Sequence, residues 1–119
     1  TYLATSGSGE YSSRGLGLHG RAVEPWDMDG SAPAGAIRST PADMAKYAQS
    51  AADHGRPEYR WARREMGGTE YTFHNGGTGG YSTMLVWDPA NPRRAAFVAN
   101  SSEASVDDLG IKLLKGTQR

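Results

Sequence analysis

The stretch that decides the fold reads Tyr71-Thr72-Phe73-His74-Asn75-Gly76-Gly77-Thr78-Gly79-Gly80-Tyr81 and continues to Trp87. Its central run, from His74 to Gly80, places four glycines, one hydroxyl residue and one imidazole in seven positions. Aromatic residues alternate with polar ones before this run and apolar residues follow it, which is typical of two β-strands. Because glycine lets another group approach the backbone closely, we predict a strand pair whose main chain is contacted.

Length and composition predict one small domain with a thin core. A chain of 119 residues hides roughly two-thirds of the surface that it exposes when unfolded. Leu, Ile, Val and Phe together make up only 15 of these residues, so Ala, Met, Tyr and Trp must complete the core. The net charge is zero, which removes the charge excess typical of disordered proteins. We therefore expect a folded chain whose domain is completed by residues outside this sequence.

Charge and residue types argue against several classes of function. Thirteen basic and thirteen acidic residues without a sustained run of either sign give no reason to expect a nucleic acid or an anionic membrane as partner. No apolar stretch approaches the roughly 18 residues of a membrane-spanning helix. The absence of cysteine excludes a disulfide scaffold and a thiolate nucleophile. His19, His54 and His74 are scattered without metal-ligand spacing, so we expect neither a metal site nor a cofactor.

The first half of the chain predicts loops followed by one helix. Residues 1 to 35 are rich in Gly, Ser and Pro, with one small hairpin expected at His19-Gly20. A helix should then begin with Thr40 as cap, Pro41 as first residue and Asp43 closing a capping box. It should stop at Gly55. Its apolar face is predicted to contain Met44, Tyr47, Ala48 and Ala51.

The second half predicts an antiparallel sheet and a terminal helix. Four strands are expected around the alternating residues Tyr59 and Trp61, around Tyr71 and Phe73, over Ser82 to Trp87, and over a buried Ala95 to Ala99. Turns are expected at Gly67-Gly68 and from Asp88 to Pro92. The helix should have Ser105 as cap, Asp107 and Asp108 in its first turn, Val106, Leu109 and Leu113 on its apolar face, and Gly116 after its end. The fold class is thus α/β (α+β), with the terminal helix packed on the sheet.

The glycine run also predicts chemistry. A strand that presents an imidazole at His74 and, three residues on, an unhindered backbone amide at Gly77 can direct a hydrogen-bond donor toward a developing oxyanion. The structural alternative is a plain glycine-rich turn in which His74 has no task. Spacing alone leaves both interpretations open.

Two motifs in order resemble a known family. The run His74 to Tyr81, preceded by Pro33-Ala34-Gly35-Ala36-Ile37-Arg38-Ser39-Thr40-Pro41-Ala42-Asp43-Met44, resembles the C-terminal portion of the serine beta-lactamase-related superfamily. That superfamily includes class C beta-lactamases, D-alanyl-D-alanine carboxypeptidases and family VIII esterases. The resemblance covers most of residues 14 to 116. It implies a beta-lactamase/transpeptidase-like fold, of which residues 1–119 would be the C-terminal part of one domain.

The resemblance implies roles for six residues. In the family, a serine of a Ser-x-x-Lys motif attacks an amide or ester carbonyl, a Tyr-x-Asn motif moves protons, and a Lys-Thr-Gly or His-x-Gly motif lines the opposite wall on an edge strand. By match to the third motif, His74 would polarise the site or hold the substrate, and Gly77 would donate an oxyanion-hole amide. Asn75, Gly76, Thr78 and Gly79 would border the substrate.

This sequence lacks the other two motifs. No lysine has a serine three residues before it, and no tyrosine is followed two residues later by asparagine. The resemblance therefore implies that the nucleophile and its base belong to a missing N-terminal part of the same domain, and that this chain alone is inactive. Periplasmic or extracellular family members suggest a similar location.

Other functions stay open at the level of sequence. Thr1 could be the nucleophile of an N-terminal nucleophile hydrolase, with its own amine as base. Trp26, Trp61 and Trp87 could stack a sugar or peptide, although sheet aromatics are more often buried. The main alternative is a catalytically inactive module that binds a peptide or an acyl ligand.

Overall fold

The computed structural model describes residues 1–3, 14–24, 26, 30–31, 35–54 and 61–116, and the chain forms a small α+β fold. Two short strands, β1 (Tyr2–Leu3) and β2 (Ile37–Arg38), pair antiparallel and precede helix α1 (Pro41–His54). Four strands and a helix follow: β3 (Ala62–Met66), β4 (Thr69–Thr78), β5 (Tyr81–Asp88), β6 (Asn91–Asn100) and α2 (Asp107–Gly116). The larger sheet has the order β3-β4-β5-β6 and is antiparallel throughout.

Two-residue turns connect the strands of this sheet. Gly67 and Gly68 have φ angles of 59° and 82°, the left-handed values that a tight hairpin turn requires and that glycine adopts without strain. Gly79 and Gly80 form the next turn, with Gly80 at φ 85°. The predicted turn at Gly67-Gly68 is confirmed. The run from His74 to Thr78, in contrast, belongs to β4 itself and is not a turn.

The two helices cover opposite faces of the sheet. Met84 and Val86 of β5 join a core cluster with Tyr71, Val106, Ile111 and Leu114, which we call the α2 face. Leu85 and Trp87, which alternate with them, join a second cluster with Ala48, Ala51 and Ala52, which we call the α1 face. This alternation follows from the two-residue period of a strand. It explains why β5 is apolar over most of its length.

A predicted hydroxyl residue precedes each helix, directly before α1 at Thr40 and one residue earlier before α2, where Val106 follows Ser105. The amide of Asp43 donates to Oγ1 of Thr40 at 3.2 Å, and the amide of Asp107 donates to Oγ of Ser105 at 3.3 Å. These bonds satisfy amides that have no partner inside their helices. The side chain of Asp43 instead contacts Thr1. The stop predicted at Gly55 lies outside the described residues, but α1 does end at His54.

Several residues were predicted on the wrong side of an element. Leu109 and Leu113 are 48% and 47% exposed, and α2 packs through Gly110, Ile111 and Leu114 instead. The small Gly110 brings the helix against Met84 and so rotates the leucines outward. Tyr47 is likewise 54% exposed, because the alanines of α1 face the sheet.

The strands also differ from the prediction in two of their bounds and in the burial of one strand. Trp61 precedes β3, and Tyr59, the other residue around which this strand was predicted, lies outside the described residues. The turn after β5 consists of Pro89 and Ala90 alone. The apolar run from Ala95 to Ala99 is only partly buried, because β6 lies at an edge of the sheet with no strand beyond it among the described residues.

A segment before α1 docks on the end of the sheet. Leu16 and Ala22 form an isolated antiparallel bridge around the turn at Leu18 and His19, which confirms the predicted small hairpin. The amide of Leu16 donates to the carbonyl of Ser101, and the amide of Glu103 donates to the carbonyl of Leu16. The hairpin is thus held beside the Gly79-Gly80 turn.

Candidate functional site

One half of β4 has an open edge. Strand β3 pairs with β4 from Thr69 to Phe73, whereas β4 pairs with β5 as far as Thr78. Among the described residues, the stretch from His74 to Thr78 therefore has a strand on one side only. We call this stretch the open half of β4.

The register shows which backbone groups face outward there. In a two-residue hairpin turn the flanking residues, here Met66 and Thr69, form a hydrogen-bonded pair. Backbone groups alternate in direction along a strand, so odd-numbered residues of β4 point toward the β3 side and even-numbered residues toward β5. In the open half, the N–H and C=O groups of Asn75 and Gly77 thus face the open edge. Such groups can pair with a ligand or with an added chain.

His74 stands at the beginning of the open half, with its side chain exposed on the α1 face. It lies opposite Leu85, which belongs to that face. Its Nδ1 is 2.7 Å from the carbonyl oxygen of Asn75. Since a carbonyl oxygen only accepts, Nδ1 must carry a proton, and Nε2 is the nitrogen left for a substrate.

Aromatic rings flank the imidazole on one side. The ring centroids of Trp61 and His74 are 6.0 Å apart with an edge-to-face angle of 89°. Trp61 in turn contacts Trp87 at 4.5 Å and 74°. Trp87 is fully buried, whereas Trp61 is half-buried. The buried ring of Trp87 therefore helps to hold the half-buried ring of Trp61 in place.

Asn75 faces the other side of the sheet. Its Nδ2 donates to Oδ2 of Asp107 at 3.0 Å, which ties the open half of β4 to the first turn of α2. The side chains of His74 and Asn75 consequently lie on opposite faces, so one ligand cannot contact both from the same side.

Packing explains three of the four glycines in the run. A Cβ on Gly79 would lie 2.7 Å from the ring of Trp26, and a Cβ on Gly76 would lie 2.8 Å from Oγ1 of Thr83. Gly80 combines a positive φ with a backbone contact to Gly15. Gly77 differs, because no such contact lies within 4 Å of its Cβ position. Packing therefore does not demand glycine at position 77.

A cavity of about 210 Å³ lies beside Gly77 on the α2 side of β4. It is open to solvent and is lined by Asn75, Gly76, Gly77, Ser82, Glu103, Ser105 and Asp107. Several of these groups bond to protein atoms: Ser82 donates to the carbonyl of Ala104, and Glu103 accepts the amide of Gly80. His74 and Thr78 do not line it. The cavity and the imidazole thus lie on opposite sides of the same strand.

Thr1 contacts a separate group of residues at the start of α1. Its hydroxyl donates to Oδ2 of Asp43 at 2.8 Å and lies 2.7 Å from Oγ of Ser39, and its amino group lies 3.2 Å from the same carboxylate oxygen. Hydrogen bonds from the Thr1 hydroxyl and amine hold the pKa of Asp43 below its ordinary value.

Among the described residues, no three His, Cys, Asp or Glu side chains come together as a group that could hold a metal ion. In the same part of the chain, no helix is both long enough and apolar enough to cross a membrane.

Sequence reasoning missed two contacts of the site. The pairing of Trp61 with His74 could have been found, because the register set by the Gly67-Gly68 turn, continued past Ala62 and Phe73, places these residues opposite each other. The bond from Asn75 to Asp107 joins residues 32 positions apart on different elements, and no local pattern reports such a contact.

Comparisons of this chain with protein-family models, with curated proteins and with solved structures find no match.

Proposed function

We propose that this chain forms one wall of the active site of a beta-lactamase-related serine hydrolase that cleaves an amide or ester bond through an acyl-enzyme. One observation carries the proposal: the amide of Gly77 faces the open edge of β4, and Gly77 is the glycine of the run that packing does not explain. An amide in that position fits a donor to an oxyanion.

The chemistry divides between this chain and the rest of the domain. A serine from outside this sequence attacks the substrate carbonyl carbon and passes its proton to a base of that same part. The carbonyl oxygen becomes an oxyanion, which accepts hydrogen bonds from the Gly77 amide and from the amide of the nucleophile. The amine or alcohol then leaves with a proton, and water releases the acid from the acyl-enzyme.

His74 holds the substrate in this scheme. Its Nδ1–H stays on the carbonyl of Asn75, so Nε2 is directed to the ligand. Gly77 follows His74 by three positions, which is about 10 Å along a strand. His74 therefore contacts a part of the substrate at some distance from the reacting carbonyl. Asn75 and Gly76 keep the strand in place, and Thr78 and Gly79 follow toward the turn.

The open edge allows a sharp test of the Gly77 amide in the protein expressed from its complete reading frame. Because the N–H of Gly77 points away from β5, Gly77→Pro removes the donor without removing a bond of the sheet, as at other strand edges. We expect this change to lower kcat for a chromogenic cephalosporin or a short nitrophenyl ester by about 100-fold.

Gly77→Ala is the matched control. Its Cβ meets no atom of this chain and the amide is kept, so it should leave the circular dichroism spectrum unchanged and lower kcat much less than Gly77→Pro does. A Gly77→Pro protein that folds and keeps the wild-type kcat would contradict the proposed role. His74→Ala should lower the acylation rate, whereas His54→Ala, at the end of α1, should not.

The reading frame upstream of the codon for Thr1 decides between this proposal and its alternative. A frame that continues into Ser-x-x-Lys and Tyr-x-Asn motifs would support the hydrolase. A frame without them would favour the inactive module that binds a peptide or acyl ligand. The 119-residue chain by itself should not hydrolyse either substrate above the buffer rate.

A further inference from the structure

We infer that Trp61 and His74 form an aromatic subsite that binds a planar ring of the substrate, about 10 Å from the carbonyl that reacts. This inference rests on the proposed function, because the subsite is placed relative to the amide of Gly77. It adds to the proposed function that the substrate carries an aromatic ring.

The first step is the position of Trp61. It precedes β3 and lies opposite His74 in the continued register, where β3 stops pairing and the open half of β4 begins. A ligand that lies along the open edge and bonds to Asn75 and Gly77 therefore meets the ring of Trp61 at one end.

The second step is the support of the ring. Trp61 packs on the buried α1-face cluster and contacts Trp87, whose side chain is 2% exposed. Thr72, directly opposite Trp87, is fully buried on the same face. A ring held in this way loses little freedom when a ligand stacks on it, which favours binding.

The third step is access. Helix α1 makes most of its sheet contacts with β5 and β6, so it leaves the open half of β4 accessible on this face. His74 is exposed and Trp61 is half-buried. An imidazole and an indole that stand edge to face present an apolar and partly polar surface, which suits the face or edge of an aromatic ring.

The subsite is tested in the protein from the complete reading frame with two ring-bearing esters, each paired with an alkyl ester. Nitrophenyl 6-phenylhexanoate against nitrophenyl hexanoate tests a ring on the acyl side. 6-Phenylhexyl acetate against hexyl acetate tests a ring on the leaving group. We expect one of the ring-bearing esters to be preferred, and Trp61→Leu to reduce that preference in kcat/KM about tenfold.

Leucine keeps an apolar side chain against Trp87, so the variant should fold, and Trp61→Phe should restore most of the preference. Tyr47→Leu is the matched control, because Tyr47 is an exposed aromatic residue of α1 that points away from the sheet. If Trp61→Leu hydrolyses all four esters with the wild-type preference, the aromatic subsite is wrong while the hydrolase proposal stands.

A protein that hydrolyses none of the esters would contradict the proposed function and still allow the subsite to be tested. The tryptophan indole N–H signals are followed by NMR during titration with 6-phenylhexanamide, and the Trp61→Phe and Trp26→Phe variants identify the signals of these two residues. A shift of the Trp61 signal with the Trp26 signal unchanged supports the subsite. Absence of a shift at Trp61 overturns it.

Discussion

The two faces of the sheet are closed in opposite ways. On the α2 face, the helix contributes large side chains, Ile111 and Leu114, which pack on Met84 and Val86. On the α1 face, the helix contributes only alanines to the buried cluster, and the sheet supplies the large residues Leu85 and Trp87. The α2 face therefore depends on volume from its helix, whereas the α1 face depends on its helix being small.

The difference predicts opposite sensitivities. Truncating a side chain of α2 should leave a cavity, because the surrounding residues relax only partly. Apart from the partly buried Met44, truncation has little to remove on the inner side of α1, but enlargement there should push the helix away from the sheet. Two substitutions test this contrast, and a third tests a buried hydroxyl of the α1 face.

Leu114→Ala should give the largest effect. Leu114 is 1% exposed in the α2-face cluster, so we expect the free energy of unfolding to fall by about 3 kcal/mol. Urea denaturation followed by circular dichroism measures this change. Leu113→Ala, one residue earlier and 47% exposed, should cost less than about 1 kcal/mol. Equal losses for both leucines would contradict the packing of α2 through Leu114.

Ala48→Leu should give an intermediate effect on the opposite face. Ala48 is 2% exposed against the sheet, and three added carbon atoms there should cost about 2 kcal/mol through overpacking. Ala45→Leu is the control, since Ala45 is exposed on the same helix. If Ala48→Leu proved as stable as Ala45→Leu, the close approach of α1 to the sheet would be refuted.

Thr72→Val should give the smallest effect, with the opposite sign. Oγ1 of Thr72 is buried on the α1 face without a hydrogen-bond partner among the described residues, and an unpaired buried hydroxyl is costly. Valine should raise the free energy of unfolding by about 1 kcal/mol. Thr69→Val, at the partly exposed start of the same strand, should change it little. A loss of stability in Thr72→Val would show that the hydroxyl is hydrogen-bonded.

The elements with local signals were predictable from sequence. Thr40 and Pro41 mark the start of α1, Ser105 precedes α2, and Gly67-Gly68 forms the expected turn. Each of these depends on residues within one turn of the chain, where backbone preference decides the outcome. The antiparallel sheet with a terminal helix on it is likewise confirmed.

The face that α2 buries was less predictable than that of α1, where Met44, Ala48 and Ala51 pack as predicted and only Tyr47 does not. Leu109 and Leu113 look apolar in sequence, but the contact of Gly110 with Met84 sets the rotation of α2. That contact joins two elements, so the sequence of α2 alone does not indicate it. Along β5, successive side chains pack toward α2 and α1 in turn, so most of them are apolar. The strand therefore lacks the alternation of apolar and polar residues by which a half-buried strand is recognised.

For the candidate site, His74 and Gly77 remain predictions about chemistry, and the structure supplies their placement. The sequence indicated a close approach to the glycine run, and three of its glycines do meet other atoms of this chain: Thr83, Trp26 and Gly15. The opposite directions of the His74 and Asn75 side chains follow from the strand period once the run is known to be extended. The sequence alone did not distinguish a strand from a turn there.

The order of the strands in the sheet has a consequence for how the chain reaches this structure. Strands β3 to β6 pair in the order in which they occur, through three two-residue turns, so the larger sheet is made of contacts that are local in sequence. Helix α1 instead packs mainly on β6, and strands β3, β4 and β5 lie between these two elements in the sequence. Since local contacts form at a lower entropic cost, we expect the hairpins to form early and α1 to dock late. In a stopped-flow refolding experiment, Ala48→Leu should then chiefly accelerate unfolding, and substitutions in the β4–β5 hairpin should slow folding.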